Sequence, residues 1–339
     1  MATVNLLEYL RSRTQVDIDT YDAEASREIG PFQDATGNQF EIQAEIVKPN
    51  RSAVLKRSLE LAATIHPRFA TITLEELAVE VVGIELALEV IQTVHGNVHV
   101  MVNPSYSYNT EAIVANAQRL HHICKIVDPY FDTSHLVTKV PATWEGMQAS
   151  RQLKQSGIKT LATTVFSMEQ VILAGEAGCI SISPFVHELK TETYKGYKDK
   201  NPILGVCVQA QQFYQQNSLP TRLKVCVTMN LDELIMLAGI DALTITPKVL
   251  KVLAATERLQ EEVESMSLFA KTTMTTEVVK YLSYIDSESQ YRVHFAASED
   301  GKAQFKTAQA ISLFCDAQTA AELYIASQLE DSSYIPINL

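Results

Sequence analysis

HLVTKVPATWEGMQASRQLKQSGIKTLATTV, residues 135–165, carries the pattern that decides the fold. Two short runs rich in β-branched residues, 135–140 and 159–165, flank a stretch of helical spacing that closes on Gly157. A strand, a helix and a second strand joined this tightly make a right-handed crossover between parallel strands. Outward from there the alternation continues. Residues 15–19, 97–103, 179–185, 222–228 and 241–246 read as further strands, and 32–38 as a short one, giving eight in all. Helical stretches such as VLKRSLELAATI separate them, and helices run from the last strand to the end. Eight β/α units in 339 residues fit a closed (β/α)8 TIM barrel with extra C-terminal helices. An open doubly wound sheet would want a glycine-rich phosphate loop after the first strand, and none is present. No repeat, low-complexity tract or linker interrupts the pattern, so residues 1–339 are expected to form one domain.

Composition narrows the partners. Apolar residues make up 46% of the chain, enough for a sizeable core, and the net charge is −12 (28 basic against 40 acidic residues). That balance argues against nucleic acid or an anionic membrane as the main partner. The five cysteines (Cys124, Cys179, Cys207, Cys226 and Cys315) show no CxxC pair and no metal-ligand spacing. Four of them lie in apolar runs, which suggests buried free thiols and a reducing compartment. No stretch approaches the roughly 18 apolar residues of a membrane span, so a cytoplasmic protein is expected.

Alternation along the strands assigns faces. Val98, Val100 and Val102 are expected toward the helices, with His99, Met101 and Asn103 inside. The same phase puts Val137, Lys139, Leu161 and Thr163 inside, then Ser181, Ser183 and Phe185, and on the seventh strand Val225 and Val227. Active sites in such barrels form at the C-terminal strand ends. Lys139 lies near one. Apolar walls disfavour an ammonium, and a neutral amine attacks carbonyls to give a Schiff base whose iminium is an electron sink. The alternative is a structural lysine paired with an internal carboxylate, Asp19 or Asp34.

Other features carry less. Asp17 and Asp19 share a strand face, so at least one should enter the barrel, but DIDTYD lacks the glycine and distal glutamate of a calcium loop. His121 and His122 are adjacent on a helix and do not share a face, which argues against a ligand pair. No metal site is expected. His187 and Glu188, just after the sixth strand, are candidates for acid–base work at the mouth, with a surface loop as the plainer reading. Trp144 reads as packing.

Taken together, these motifs resemble the transaldolase family. VDIDTYD, QDATGN, GNVHVMVNPSYSYNTE, TKVPATWEG, GIKTLATTVFS, AGEAGCISISPFV and LAGIDALTITP carry the resemblance along nearly the whole chain. The K-x-x-x-T-W-x-G run followed by ISPFV is its most specific part. It implies a barrel enzyme, a transferase or lyase, with Lys139 as the Schiff-base lysine and Asp19 as the acid–base aspartate. It also implies Asn38 as a substrate-binding amide, Thr163 as holder of the catalytic water, and Ser183 and Phe185 in the substrate floor. No cofactor is implied, because the lysine supplies the electron sink, and a homodimer is suggested.

The departures from the family pattern are as specific. Met101 stands where the family has its catalytic glutamate, and Leu161 where it has an asparagine. Glu188 replaces a phosphate-binding arginine, and Val227 and Met229 replace the serine and arginine of a second phosphate motif. Arginine pairs bidentately with phosphate, whereas methionine offers no charge and glutamate the wrong one. The pocket also becomes more apolar. The expected activity is aldol or retro-aldol chemistry through an imine on Lys139, with a small, non-phosphorylated and more apolar carbonyl substrate. Protons would move through Asp19, His99 or water on Thr163. Two alternatives stay open: an ordinary transaldolase drawing positive charge from Lys190, Lys195, Lys198 and Lys200, or a barrel that binds without catalysis.

Overall fold

The computed structural model describes residues 2–269 and 281–330. Eight parallel strands close into a barrel in chain order: β2 (Gln15–Asp19), β3 (Ala35–Thr36), β4 (Val98–Met101), β5 (Leu136–Pro141), β6 (Lys159–Val165), β7 (Ser181–Pro184), β8 (Arg222–Val225) and β9 (Ala242–Ile245). A two-stranded antiparallel ribbon outside the barrel, absent from the sequence reading, pairs β1 (Thr3–Asn5) with β10 (Glu257–Leu259). The expected TIM barrel is therefore present. Every strand falls within its expected run or one residue from it, although β3 shrinks to two residues. The helical tail is described as far as Glu330, and residues 331–339 lie outside the described residues.

The opening stretch shows how the site is held. β5 is buried along all six residues, and Thr143 caps the helix Trp144–Gln155 by accepting from Gly146 N at 2.9 Å. The Thr143 hydroxyl also donates to Ser107 O at 2.5 Å. A Cβ on Gly146 would lie 2.1 Å from Pro141 O, so only glycine lets the helix start this close to the strand end. The threonine and glycine of TWEG thus lock the strand that carries Lys139. Trp144 packs against Tyr291, with ring centroids 5.7 Å apart.

A second lock joins β6 to the C-terminal helix Lys302–Glu330. The strand register breaks between Ala162 and Val165, where Thr164 takes a left-handed φ of 59°. Buried Gln170 spans the break: its Nε2 donates to Ala142 O (2.9 Å), Thr164 O (3.1 Å) and Thr307 Oγ1 (3.1 Å), and its Oε1 accepts from Phe166 N (2.7 Å). A β-branched residue at such a φ is strained, and these bonds are what hold it. Phe314 of the same long helix packs on Phe40 (5.5 Å) and Phe185 (6.4 Å), forming a wall beside the barrel mouth.

Candidate active site

Lys139 lies where expected, 4% exposed, with Met101 and Leu161 as its register partners on β4 and β6. Its Nζ makes no hydrogen bond and no ion pair among the described residues. Asp19, at the end of β2, is the charge that acts across the barrel on it. Burial raises the Asp19 carboxyl above its usual range, and Lys139 opposes that shift. Asp19 Oδ1, Thr36 Oγ1, Thr163 Oγ1 and Ser181 Oγ are buried without a hydrogen-bond partner among the described residues. Buried polar atoms are rarely left so, and a polar ligand or water is the natural partner for this set.

The internal ion pair offered as the alternative for Lys139 belongs to another lysine. Lys224 on β8 reaches inside, 2.7 Å from Asp34 Oδ2, and bonds Asp17 Oδ2 as well. Asp34 also accepts from Asn97 N (2.7 Å), and Asp17 Oδ1 accepts from Asp34 N (3.1 Å). Burial works to raise the Asp34 carboxyl, but His99 and Lys224 outweigh it and hold it well below the usual carboxylate range. The inward face of β8 is therefore Lys224 and Cys226, not Val225 and Val227 as the alternation suggested. The strand ends at Val225, and Val227 sits at a left-handed φ of 55°. Buried carboxylates reward an inward lysine, and that sets the phase.

Other expected residues distribute unevenly. His99 is inside, 3.4 Å from Asp34, and the charges acting on it are Asp34, Lys224 and Asp17, so it belongs to that network and not to Lys139. Burial lowers its pKa, with Asp34 opposing. Asn103 is not a strand residue: its side chain caps the turn Pro104–Tyr106. Asn38 caps the helix Gln39–Ile46 through its Oδ1, accepting from Phe40 N at 2.9 Å, which leaves its amide nitrogen for a ligand. Ser183 Oγ donates to Lys224 O (2.9 Å) and touches Cys226 Sγ (3.4 Å). Phe185 meets Phe166 edge-on at 5.7 Å. His121 contacts Thr138 Oγ1 at 3.3 Å, while His122 packs on Phe69, so the two rings diverge as expected.

His187 and Glu188 are buried, not a surface loop. His187 Nε2 meets Glu233 Oε1 at 3.0 Å. Glu188 Oε2 accepts from Tyr197 Oη at 2.5 Å and from Gln309 Nε2 at 2.8 Å, which fixes the carboxylate against the C-terminal helix. Met229 is 43% exposed at the rim, its N–H donating to Glu233 Oε2 (2.7 Å). Two nearby cations are committed: Lys306 pairs with Asp199 at 2.6 Å, and Lys190 lies over the Tyr194 and Tyr197 rings at 4.9 and 5.0 Å, whereas Lys195, Lys198 and Lys200 are exposed.

Two glutamates escaped the sequence reading. Glu41, in the first turn of the helix Gln39–Ile46, has its carboxyl pushed up to about 8 by burial and then by the Asp19 charge, with a Thr20 hydrogen bond opposing. Glu192, in the single turn Lys190–Thr193 after β7, feels the charges of Asp19 and Lys139. Neither occupies a barrel strand, so alternation gave no signal for them. Lys224 did carry one: like Lys139, it is a lysine inside an apolar run. Among the described residues no group of three or more His, Cys, Asp or Glu side chains could hold a metal ion, and no helix is long and apolar enough to cross a membrane. All five cysteines are free.

Comparison with known proteins gives the family. The Transaldolase/Fructose-6-phosphate aldolase family pattern matches residues 16–322. A transaldolase of Shewanella sp. (strain W3-18-1) is 30% identical over 335 residues, covering 96% of this chain and 99% of that protein. One from Prochlorococcus marinus (strain MIT 9301) is 29% identical over 320 residues, covering 92% of each.

Proposed function

Because the chain belongs to the transaldolase/fructose-6-phosphate aldolase family, we propose that Lys139 forms an imine with a sugar-like carbonyl compound that carries no phosphate. The Lys139 amine attacks the carbonyl carbon, and loss of water leaves an iminium. Asp19 then takes the hydroxyl proton of the adduct as the C–C bond breaks, or returns it as the bond forms. A buried carboxyl with a raised pKa, set against a lysine, suits that proton movement. Thr163 is the proposed anchor for the water that enters and leaves, because its hydroxyl is buried and unpartnered.

One observation carries the substrate reading. Glu188 stands where the family pattern calls for a phosphate-binding arginine, and its carboxylate is held in place by Tyr197 and Gln309. At 4 Å, with an effective dielectric of 20, unit charges interact by about 4 kcal/mol. Exchanging that attraction for repulsion disfavours a phosphate dianion strongly. Met229 restores no charge, Lys190 and Lys306 are occupied elsewhere, and Lys195, Lys198 and Lys200 are exposed, which weighs against an ordinary transaldolase. Five free thiols favour a cytoplasmic setting, and a homodimer remains part of the proposal by family resemblance alone.

The test is a comparison of kcat/KM for dihydroxyacetone transfer from fructose 6-phosphate and from fructose, with glyceraldehyde or a hydrophobic aldehyde as acceptor. A preference for the unphosphorylated donor is expected. A tenfold or larger preference for fructose 6-phosphate would sink the substrate reading while leaving imine chemistry intact.

A further inference from the structure

Just past the end of β5, the start of the helix Trp144–Gln155 and the helix Glu288–Ala297 border a cavity of about 90 Å³. Four of the residues lining it are aromatic: Tyr108, Trp144, Tyr291 and Phe295. Tyr291 is packed from three sides. Trp144 stands 5.7 Å away, Phe295 stacks on it at 5.4 Å with the rings 14° apart, and Tyr284 meets it edge-on at 5.8 Å. Tyr291 and Phe295 are buried, whereas Tyr108 is 57% exposed at the rim. Walls packed in this way are in place before a ligand arrives, which lowers the cost of binding one.

Charge sets what can enter. Glu145 and Arg292 line the same cavity. The guanidinium is already engaged: its Nη2 donates to Glu145 Oε1 at 2.5 Å and its Nε to Glu288 Oε1 at 2.8 Å. Two carboxylates against one cation leave the group net negative. The other oxygen, Glu145 Oε2, is buried without a hydrogen-bond partner among the described residues, a costly state for a carboxylate. Among the described residues no cation stands over any of the four rings. Ring faces and an unpartnered carboxylate oxygen both attract positive charge. An anion would be repelled, and a neutral apolar ligand would leave Glu145 Oε2 unsatisfied. A metal ion would want a shell of oxygen ligands, and Glu145 is the only carboxylate in the lining. The volume, roughly that of three waters in the liquid, fits the head of a small organic cation and not a sugar.

We propose that this cavity binds a methylated ammonium group, with the aromatic rings meeting its methyls and Glu145 supplying the counter-charge. The site is separate from Lys139 and stands whether or not the imine reading does. The cavity reads the cationic head alone, and a free solute such as choline and a trimethyllysine side chain both present that head.

Trp144 is the only tryptophan of the chain, so its fluorescence reports on the cavity directly. The full chain is titrated with choline chloride, with the neutral isostere in which a tert-butyl group replaces the trimethylammonium, and with potassium chloride at matched ionic strength. A trimethyllysine peptide and its unmethylated form make a second pair. A saturable change with choline is expected, with the isostere at least about tenfold weaker and no saturation with potassium chloride. E145Q should weaken choline about tenfold. Y108A, which removes an exposed ring and leaves the core intact, should weaken it about two- to fivefold. A peptide that binds tenfold or more tightly than choline supports the site with a protein side chain as its ligand, and any smaller ratio supports a free solute. Equal affinity for choline and the neutral isostere overturns the cation assignment. Wild-type affinity in both variants, or no saturation by choline or the methylated peptide up to about 0.1 M, overturns the site.

Discussion

Replacing Lys224 by methionine tests the electrostatic floor of the barrel. Lys224, Asp17 and Asp34 are each buried, and the lysine Nζ bridges both carboxylates. Methionine keeps most of the volume but leaves two buried carboxylates without their cation. Removing one partner of a buried ion pair costs about 3–5 kcal/mol. For a chain of this size a loss near the low end of about 2 °C per kcal/mol predicts a Tm lower by about 6–10 °C. The pH dependence gives an independent check. In the wild type the folded Asp34 carboxyl lies below its unfolded value, so its contribution is complete above about pH 4 and is lost as the pH falls through the folded value. In K224M Asp34 keeps His99 but lacks the cation, so the destabilisation is greatest where its carboxylate is charged and is relieved on acidification. The gap between the two proteins should therefore shrink as the pH falls toward and below about 4. Urea denaturation followed by circular dichroism reads both effects. Adding D17N and D34N to K224M should recover most of the loss, since the amide oxygens can still accept from Asn97 N and Asp34 N. A cost below about 1 kcal/mol, the value of a surface pair, or a gap that ignores pH, refutes the argument.

Two other outcomes follow from the same geometry. E188R with M229R should raise kcat/KM for fructose 6-phosphate by about 10–100-fold, from charge-assisted bonds worth about 1.5–3 kcal/mol each, less the loss of the Tyr197 and Gln309 contacts; no gain would count against the phosphate argument. G146A should destabilise the protein and lower activity together, because the added methyl must displace Pro141 O, 2.1 Å away; wild-type stability and turnover would show that the close helix start is not needed.

Much of this molecule was legible in its residues, and the failures have physical causes. The barrel followed from alternating β-branched and helical runs, since parallel strands of this number have few ways to close. Lys139 stood out because a charge in an apolar run must be either paired or functional. Lys224 carried the same signal, but the reading set the phase of β8 from valines that extend past the strand end. Only the partners Asp17 and Asp34, brought from distant strands, reveal which side faces in. Glu41 and Glu192 escaped for a related reason. They lie on a helix start and on a one-turn loop, where no period marks direction, and their significance comes from Asp19 and Lys139 across the mouth. His187 and Glu188 read as a surface loop because their partners lie far along the chain: Glu233 for His187, and Gln309 of the C-terminal helix, more than a hundred residues later, for Glu188.

The central claim is that Lys139, not Lys224 or Lys306, which are also buried, is the nucleophile. The direct measurement is borohydride reduction in the presence of dihydroxyacetone, followed by peptide mass mapping of wild type and K139M. The account predicts one reduced adduct, on the peptide containing Lys139, and none in K139M. An adduct on Lys224, or one that persists at full yield in K139M, would contradict it.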